Sequence, residues 1–234
     1  MQRNDLSRKD ESLIDKAHSS IKRYGIGNAI LNVVKKRSQK YYHYYSDIVF
    51  VIPDFKGYKY ESPDVKVLDK ERVSIASERV ELSVSDIKIC ERLLHQGCKG
   101  VYAEVNGRIA AYSFMQFDGV FPFPFEGACS MIIPPKYAVA RNLYVLNEYR
   151  GMKLGQVMNE ARLSLVSSGT TPVVFIIPEN KYAIRNWEKF GFRRIFTVQQ
   201  SRILSGKMKV RFSDLNESIH SKILQEAIIS ATIR

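Results

Sequence analysis

The run PVVFIIP, residues 172–178, contains no polar side chain. Successive side chains of a strand point to opposite sides, so a strand that is apolar throughout must be covered on both faces. Just upstream, YAVARNLYVL (137–146) reads as another strand. Between them, residues 151–167 place Leu154, Met158, Ala161 and Leu165 on one helical face. Strand, helix and apolar strand in this order predict a crossover between parallel neighbours, with 172–178 inside the sheet.

The remainder adds antiparallel pieces to that crossover. VYAEV (101–105) and RIAAYSFMQF (108–117) flank Asn106-Gly107, a strong short hairpin signal. DIVFVIP (47–53), FRRIFTVQQ and KMKVRF read as further strands. Ser85 is placed to cap the amphipathic DIKICERLLHQG, which Gly97 stops. Residues 181–190 form a short helix through Ala183, Trp187 and Phe190. Asp214 is placed to cap a last helix with Leu215, Ile219, Ile223 and Ala227 inward. Residues 65–84 carry no clear period, and DGVFPFPFEGACSMIIPP (118–135) reads as a loop with buried aromatics. The N-terminus reads as two helical pieces: Ile14, Ala17 and Ile21 share a face, Gly25 and Gly27 interrupt, and Asn28 opens the second. GIGNAI follows a helix pattern and lacks a third glycine, so it is not read as a nucleotide loop. The expected fold is a mixed α/β (α+β) sheet, an antiparallel meander followed by one crossover. The expected divisions are a basic helical extension over 1–45, a catalytic or binding domain over 46–212 with its core at 85–200, and a C-terminal amphipathic helix over 213–234.

The net charge of +12 is uneven. Residues 1–45 carry ten Lys/Arg against four Asp/Glu, residues 193–234 eight against three, and the middle is nearly neutral. Basic ends suit an anionic membrane surface, with nucleic acid the less favoured partner, or they are solvated helix faces. The helix end KKRSQKYYHYY is read as packing on the domain, with aromatic stacking as the alternative. No run is long and apolar enough to span a bilayer, and the first residues lack a signal-peptide core. Cys90, Cys98 and Cys129 form no CxxC pattern, which suits a reduced, cytoplasmic protein without a metal site.

The chemistry concentrates in LYVLNEYRGMKLGQ (143–156). Unpaired N–H groups at a helix start attract anions, and glycine allows close approach. Gly151 and Gly155 bare the turn while Arg150 and Lys153 add charge, so a diphosphate is the natural ligand. With the following strand, the PEN turn, a helix and Phe-Gly-Phe, this order resembles the acetyl-CoA-binding core of the GNAT superfamily of N-acyltransferases over about residues 85–200. Arg150 and Gly155 match the ends of the R/Q-x-x-G-x-G/A pattern, and Tyr149 and Gly151 match frequent neighbours. Asn180, Ala183, Ile184, Gly191 and Phe192 match a second motif. Lys153 stands where the inner glycine is expected. Trp187 stands where many members carry the tyrosine that protonates departing CoA, and an indole N–H is no acid.

The resemblance implies that acetyl-CoA (or another acyl-CoA) is held by Arg150, Gly151, Met152, Lys153, Leu154, Gly155 and Gln156. Its pantetheine would pair along Leu143, Tyr144 and Val145, with Asn180 nearby. A backbone amide there would polarise the thioester while an amine attacks directly in a ternary complex. Glu126 is the candidate base, with Glu104 as a second carboxylate; Tyr182, Tyr144 or water is the candidate proton source, or else CoA leaves as thiolate. Glu148 reads as solvated, Cys129 as structural, and the four histidines fall outside the core. A looser likeness to acetyltransferases of bacterial surface-polysaccharide pathways suggests an amino-sugar acceptor, possibly carrier-linked, against which Phe121, Phe123 or Phe125 would stack or else simply pack. A peptide or protein N-acetyltransferase is the second reading. A non-catalytic GNAT-like module binding through its basic ends is the third.

Overall fold

The computed structural model describes residues 42–123, 129–203 and 209–232. The expected N-terminal helices, most of the basic extension, Phe125 and Glu126 lie outside the described residues. The elements run β1 (Tyr42–Val51), β2 (Val65–Leu68), α1 (Lys70–Glu78), α2 (Val84–His95), β3 (Lys99–Val105), β4 (Arg108–Gln116), β5 (Val120–Phe123) and β6 (Cys129–Ile132). There follow β7 (Tyr137–Val145), a 3-10 turn (Asn147–Tyr149), α3 (Leu154–Ser164), β8 (Thr171–Ile176), α4 (Lys181–Lys189), β9 (Arg193–Ile203), β10 (Lys209–Ser213) and α5 (Ile219–Thr232).

Eight strands make one sheet in the order β10-β9-β1-β8-β7-β4-β3-β2. Among the described strands only β7 and β8 run parallel, joined by the expected crossover through α3. The apolar run lies inside the sheet between β7 and β1, as its composition requires. The Asn106-Gly107 hairpin forms with both residues at positive φ (51° and 73°). Met158 and Ala161 of α3 pack on Val101, Ala103 and Ala111, with Leu154 and Leu165 at the border. Cluster membership and strand parity place α1, α2, α5 and the β5–β6 hairpin on one face of the sheet, α3 and α4 on the other.

Several local expectations change. Tyr42, Tyr44 and Tyr45 after the basic run are strand, not helix end: Tyr44 and Tyr45 pair with Ser201 and Gln200, and β1 wedges between β8 and β9. Ser83 rather than Ser85 caps α2, because its hydroxyl accepts from the Asp86 N–H at 3.1 Å. Residues 65–84, unreadable by period, hold β2 and α1. Residues 118–135 hold the β5–β6 hairpin, where Pro122 sits in a short two-stranded piece with no further ladder to interrupt. The helix expected over 151–167 is confined to 154–164. Asp214 does not cap α5. It binds Arg194 instead, Ser218 accepts from the Ser221 N–H at 3.2 Å, and Leu215 and Ile219 are exposed while Leu224 and Ile228 are buried.

Candidate functional site

The parallel pair β7–β8 does not stay together. Its ladder covers only Tyr137–Val139 against Thr171–Val173. Beyond it, β8 continues to pair with β1 through Ile176, and β7 continues on β4. The two strands therefore bound a wedge that opens toward their C-terminal ends. Within β7 the register on β4 slips between Tyr112–Tyr144 and Phe114–Arg141. Asn142 and Leu143 thus stand opposite the single residue Ser113, and Asn142 takes φ 32°. This is a β-bulge, which bends a strand and re-aims its peptide groups.

The wedge leads to the start of α3. Lys153 precedes the helix in the left-handed conformation (φ 58°, ψ 13°), so the lysine keeps the backbone that a glycine would adopt freely. The Gln156 and Val157 N–H groups bond to the Lys153 carbonyl, and the Met152 N–H reaches Tyr149. The N–H groups of Gly151, Lys153, Leu154 and Gly155 have no acceptor among the described residues. A Cβ built on Gly151 or Gly155 would meet nothing within 4 Å. Arg150, Gly151, Met152, Lys153 and Gln156 are exposed, and no acidic side chain lies in the first turn of α3. Bare amides, open space above glycine and flanking cations suit an anion, and they fit a diphosphate.

Other expected residues are placed as follows. Leu143 and Val145 border the α3 cluster, while the Tyr144 ring lies on the opposite face, 5.7 Å from Tyr112. Asn180 is buried and caps α4, accepting from the Ala183 N–H at 3.2 Å. Tyr182 is 72% exposed. Glu104 is paired with Lys66 at 3.1 Å. Phe121 is stacked on Phe175 at 5.0 Å, with the Arg141 guanidinium 5.4 Å from its centroid. Protein groups thus contact the Phe121 ring, in line with the packing alternative. Trp187 is buried against Phe192. Among the described residues no cluster of His, Cys, Asp and Glu could hold a metal. A cleft of about 510 Å³, lined by Tyr60, Lys66, Val101 and Ser164 among others, lies at the other end of α3 and is separate from the bare amides.

Four charged residues that the sequence did not single out are buried: Asp47, Glu81, Arg141 and Arg162. Asp47 on β1 lies one residue beyond the Ile48–Ile176 pair, where β8 has ended, and pairs with Val198 of β9. It is 4% exposed and its carboxylate hydrogen-bonds to nothing among the described residues. Burial, then the charge of Glu179, pushes it up to about 7. The signal was its alternation with Val49 and Val51 in a strand covered on both sides. On the other face, Arg162 of α3 is 4% exposed and touches no carboxylate.

No family model and no curated protein matches the chain. Its fold is similar to solved GNAT acetyltransferases. An acetyltransferase of the GNAT family from Novosphingobium aromaticivorans aligns at 15% identity and TM-score 0.47, over 68% of this chain and 63% of its own. The chain thus spans less than two thirds of that protein. An aminoglycoside N-acetyltransferase in complex with CoA aligns at 13% identity and TM-score 0.37, over 56% of this chain and 91% of its own. A ribosomal-protein-alanine N-acetyltransferase from Brucella melitensis aligns at 16% and 0.38, over 60% and 99%. All three scores lie below 0.5.

Proposed function

We propose that this chain is an acyl-CoA-dependent N-acyltransferase of the GNAT type, transferring acetyl from acetyl-CoA to a primary amine. One observation carries the reading: the β7–β8 wedge runs from a bulged strand straight to a glycine-bared helix start with unpaired amides. The Gly151, Lys153, Leu154 and Gly155 N–H groups, with Arg150 and Lys153, hold the diphosphate. The free edge of β7 over Leu143–Val145 receives the pantetheine as an added strand, its amides matching peptide-like groups. A β7 amide at the bulge donates to the thioester oxygen, where negative charge develops on attack.

The amine must shed a proton to attack. Asp47 stands one residue beyond the end of β8, and near neutral pH it is present in both protonation states, as a general base requires. Glu126 is the other candidate. The acceptor is a primary amine, and amino sugars remain in the test panel although Phe121 is already engaged.

Acetyl-CoA at about one hundred times its Kd would stabilise the folded chain by about 2.7 kcal/mol. For a chain of this size that raises Tm by roughly 5–10 °C. Gly155→Trp fills the space beside the amides and should abolish the shift. A melting curve that ignores millimolar acetyl-CoA would sink the assignment. CoA thiol release across amino sugars, polyamines and peptides then separates the acceptor classes.

A further inference from the structure

The structure holds a buried cation for which the fold supplies no anion. Arg162 donates from Nη1 to the Arg141 carbonyl at 3.3 Å and from Nη2 to Asn159 Oδ1. Its guanidinium carbon lies 4.5 Å from the Trp187 ring centroid. Nε is buried and has no partner. The charged groups on the surrounding elements do not answer it. Glu160 accepts from Gln156, Arg185 and Glu188 on α4 are exposed, and the Arg141 side chain turns to the opposite face toward Gln96 and Gln116. Burial alone pushes the guanidinium down to about 9, with no acid to hold it up. An unpaired charge is expensive to bury, and hydrogen bonds to neutral groups offset it only in part.

Its position defines the anion. Arg141 immediately precedes the Asn142–Leu143 bulge, on the stretch of β7 that β8 has left. Arg162 therefore sits at the depth of the bulge, on the α3–α4 side of the wedge. It lies about 12 Å along the axis from Leu154, since a helix rises about 1.5 Å per residue. The diphosphate sits at that far end and the pantetheine arm is neutral. Two atoms of an acyl thioester gain negative charge near the bulge: the carbonyl oxygen, which the β7 amide meets, and the departing sulfur, for which the backbone supplies no donor. Tyr58 packs in the Trp187 cluster, but burial and the charge of Glu160 push its hydroxyl above the ordinary range, which makes it a reluctant proton donor. Trp187 offers only an indole N–H, Tyr182 is exposed, and the Tyr144 ring lies across the sheet.

Resting on the acyl-CoA reading, we propose that Arg162 is the cation that stabilises the CoA thiolate as it departs, in place of a proton donor. The amine nitrogen bonds to the acyl carbon and the carbon–sulfur bond breaks. The bonding pair stays on sulfur as thiolate, and the amine proton passes to a base or to water. The products are the amide, CoA thiolate and a proton.

Thiols beside arginine titrate well below their ordinary range. The test is a pH titration of protein-bound CoA by the ultraviolet absorbance of its thiolate, with desulfo-CoA binding as control. The thiol of bound CoA should titrate at least about one pH unit below free CoA, giving roughly tenfold more thiolate at neutral pH. Arg162→Lys should keep most of the shift. Arg162→Met should lose it while binding desulfo-CoA within about twofold of the parent, a pattern that loss of packing alone would not produce. Bound CoA titrating like free CoA, or an undiminished shift in Arg162→Met, overturns the proposal. If Arg162→Met does not fold, the unsubstituted protein and Arg162→Lys decide by the same titration. Failure of desulfo-CoA to bind the unsubstituted protein would overturn the cofactor reading itself, and this inference with it.

Discussion

Gly155→Ala should make the protein more stable and the site worse. Gly155 is the second residue of α3 and lies outside the positive-φ region, so alanine suits its backbone. An added Cβ meets no atom within 4 Å. Alanine is preferred over glycine in helices by about 0.8–1 kcal/mol, somewhat less at an end. For a chain of this size that predicts a Tm rise of roughly 2 °C without ligand. The methyl group would occupy the space above unpaired amides that a phosphate must enter. Pushing the anion outward should weaken acetyl-CoA binding at least about tenfold, which is about 1.4 kcal/mol. Scanning calorimetry of the free protein and titration calorimetry with acetyl-CoA measure the two effects separately. A lower Tm would show that glycine serves packing there. Unchanged affinity with a raised Tm would show that no ligand approaches this turn, and the diphosphate placement would fall.

Asp47→Asn tests the buried carboxyl. Its folded pKa lies above the unfolded value, so the folded chain holds the proton more tightly. Its contribution to stability is complete at low pH and is lost as pH rises toward 7. The substitution should add up to about 4 kcal/mol at pH 8 and almost nothing at pH 4 by denaturant unfolding, and an equal change at both would contradict the assignment. Lys153→Gly relieves a left-handed residue but loses a charge. Stability should stay within about 1 kcal/mol while acetyl-CoA affinity falls and loses part of its salt dependence, and an unchanged salt slope would exclude Lys153 from the phosphates. Gly100→Ala should destabilise by about 1–3 kcal/mol in the same unfolding assay. Its Cβ would lie 2.8 Å from Phe114 and 2.9 Å from the Leu68 carbonyl, and a neutral result would mean that β2 can slide.

What could be read in the chain was what neighbouring residues decide among themselves. Asn106-Gly107 demands a primed turn, PVVFIIP demands cover on both faces, and the Leu154–Met158–Ala161–Leu165 stripe demands a sheet beneath it. Ser83 won the cap over Ser85 through Asp86 three residues on, a contest that local chemistry could have settled. The place of β1 between β8 and β9 joins residues about 125 and 150 positions apart, and no local period encodes such a pairing. Phe121 was open to a sugar only until Phe175 and Arg141 came to it from distant strands. The hardest residues to foresee are the ones to which the chemistry is proposed to fall. Asp47 and Arg162 follow the rule for surface charges in the sequence and break it in the fold, each buried without an opposite partner among the described residues, on opposite faces of the sheet. A structure that served stability alone would pair or expel them. A reaction that takes a proton from an amine and leaves charge on sulfur has use for one of each.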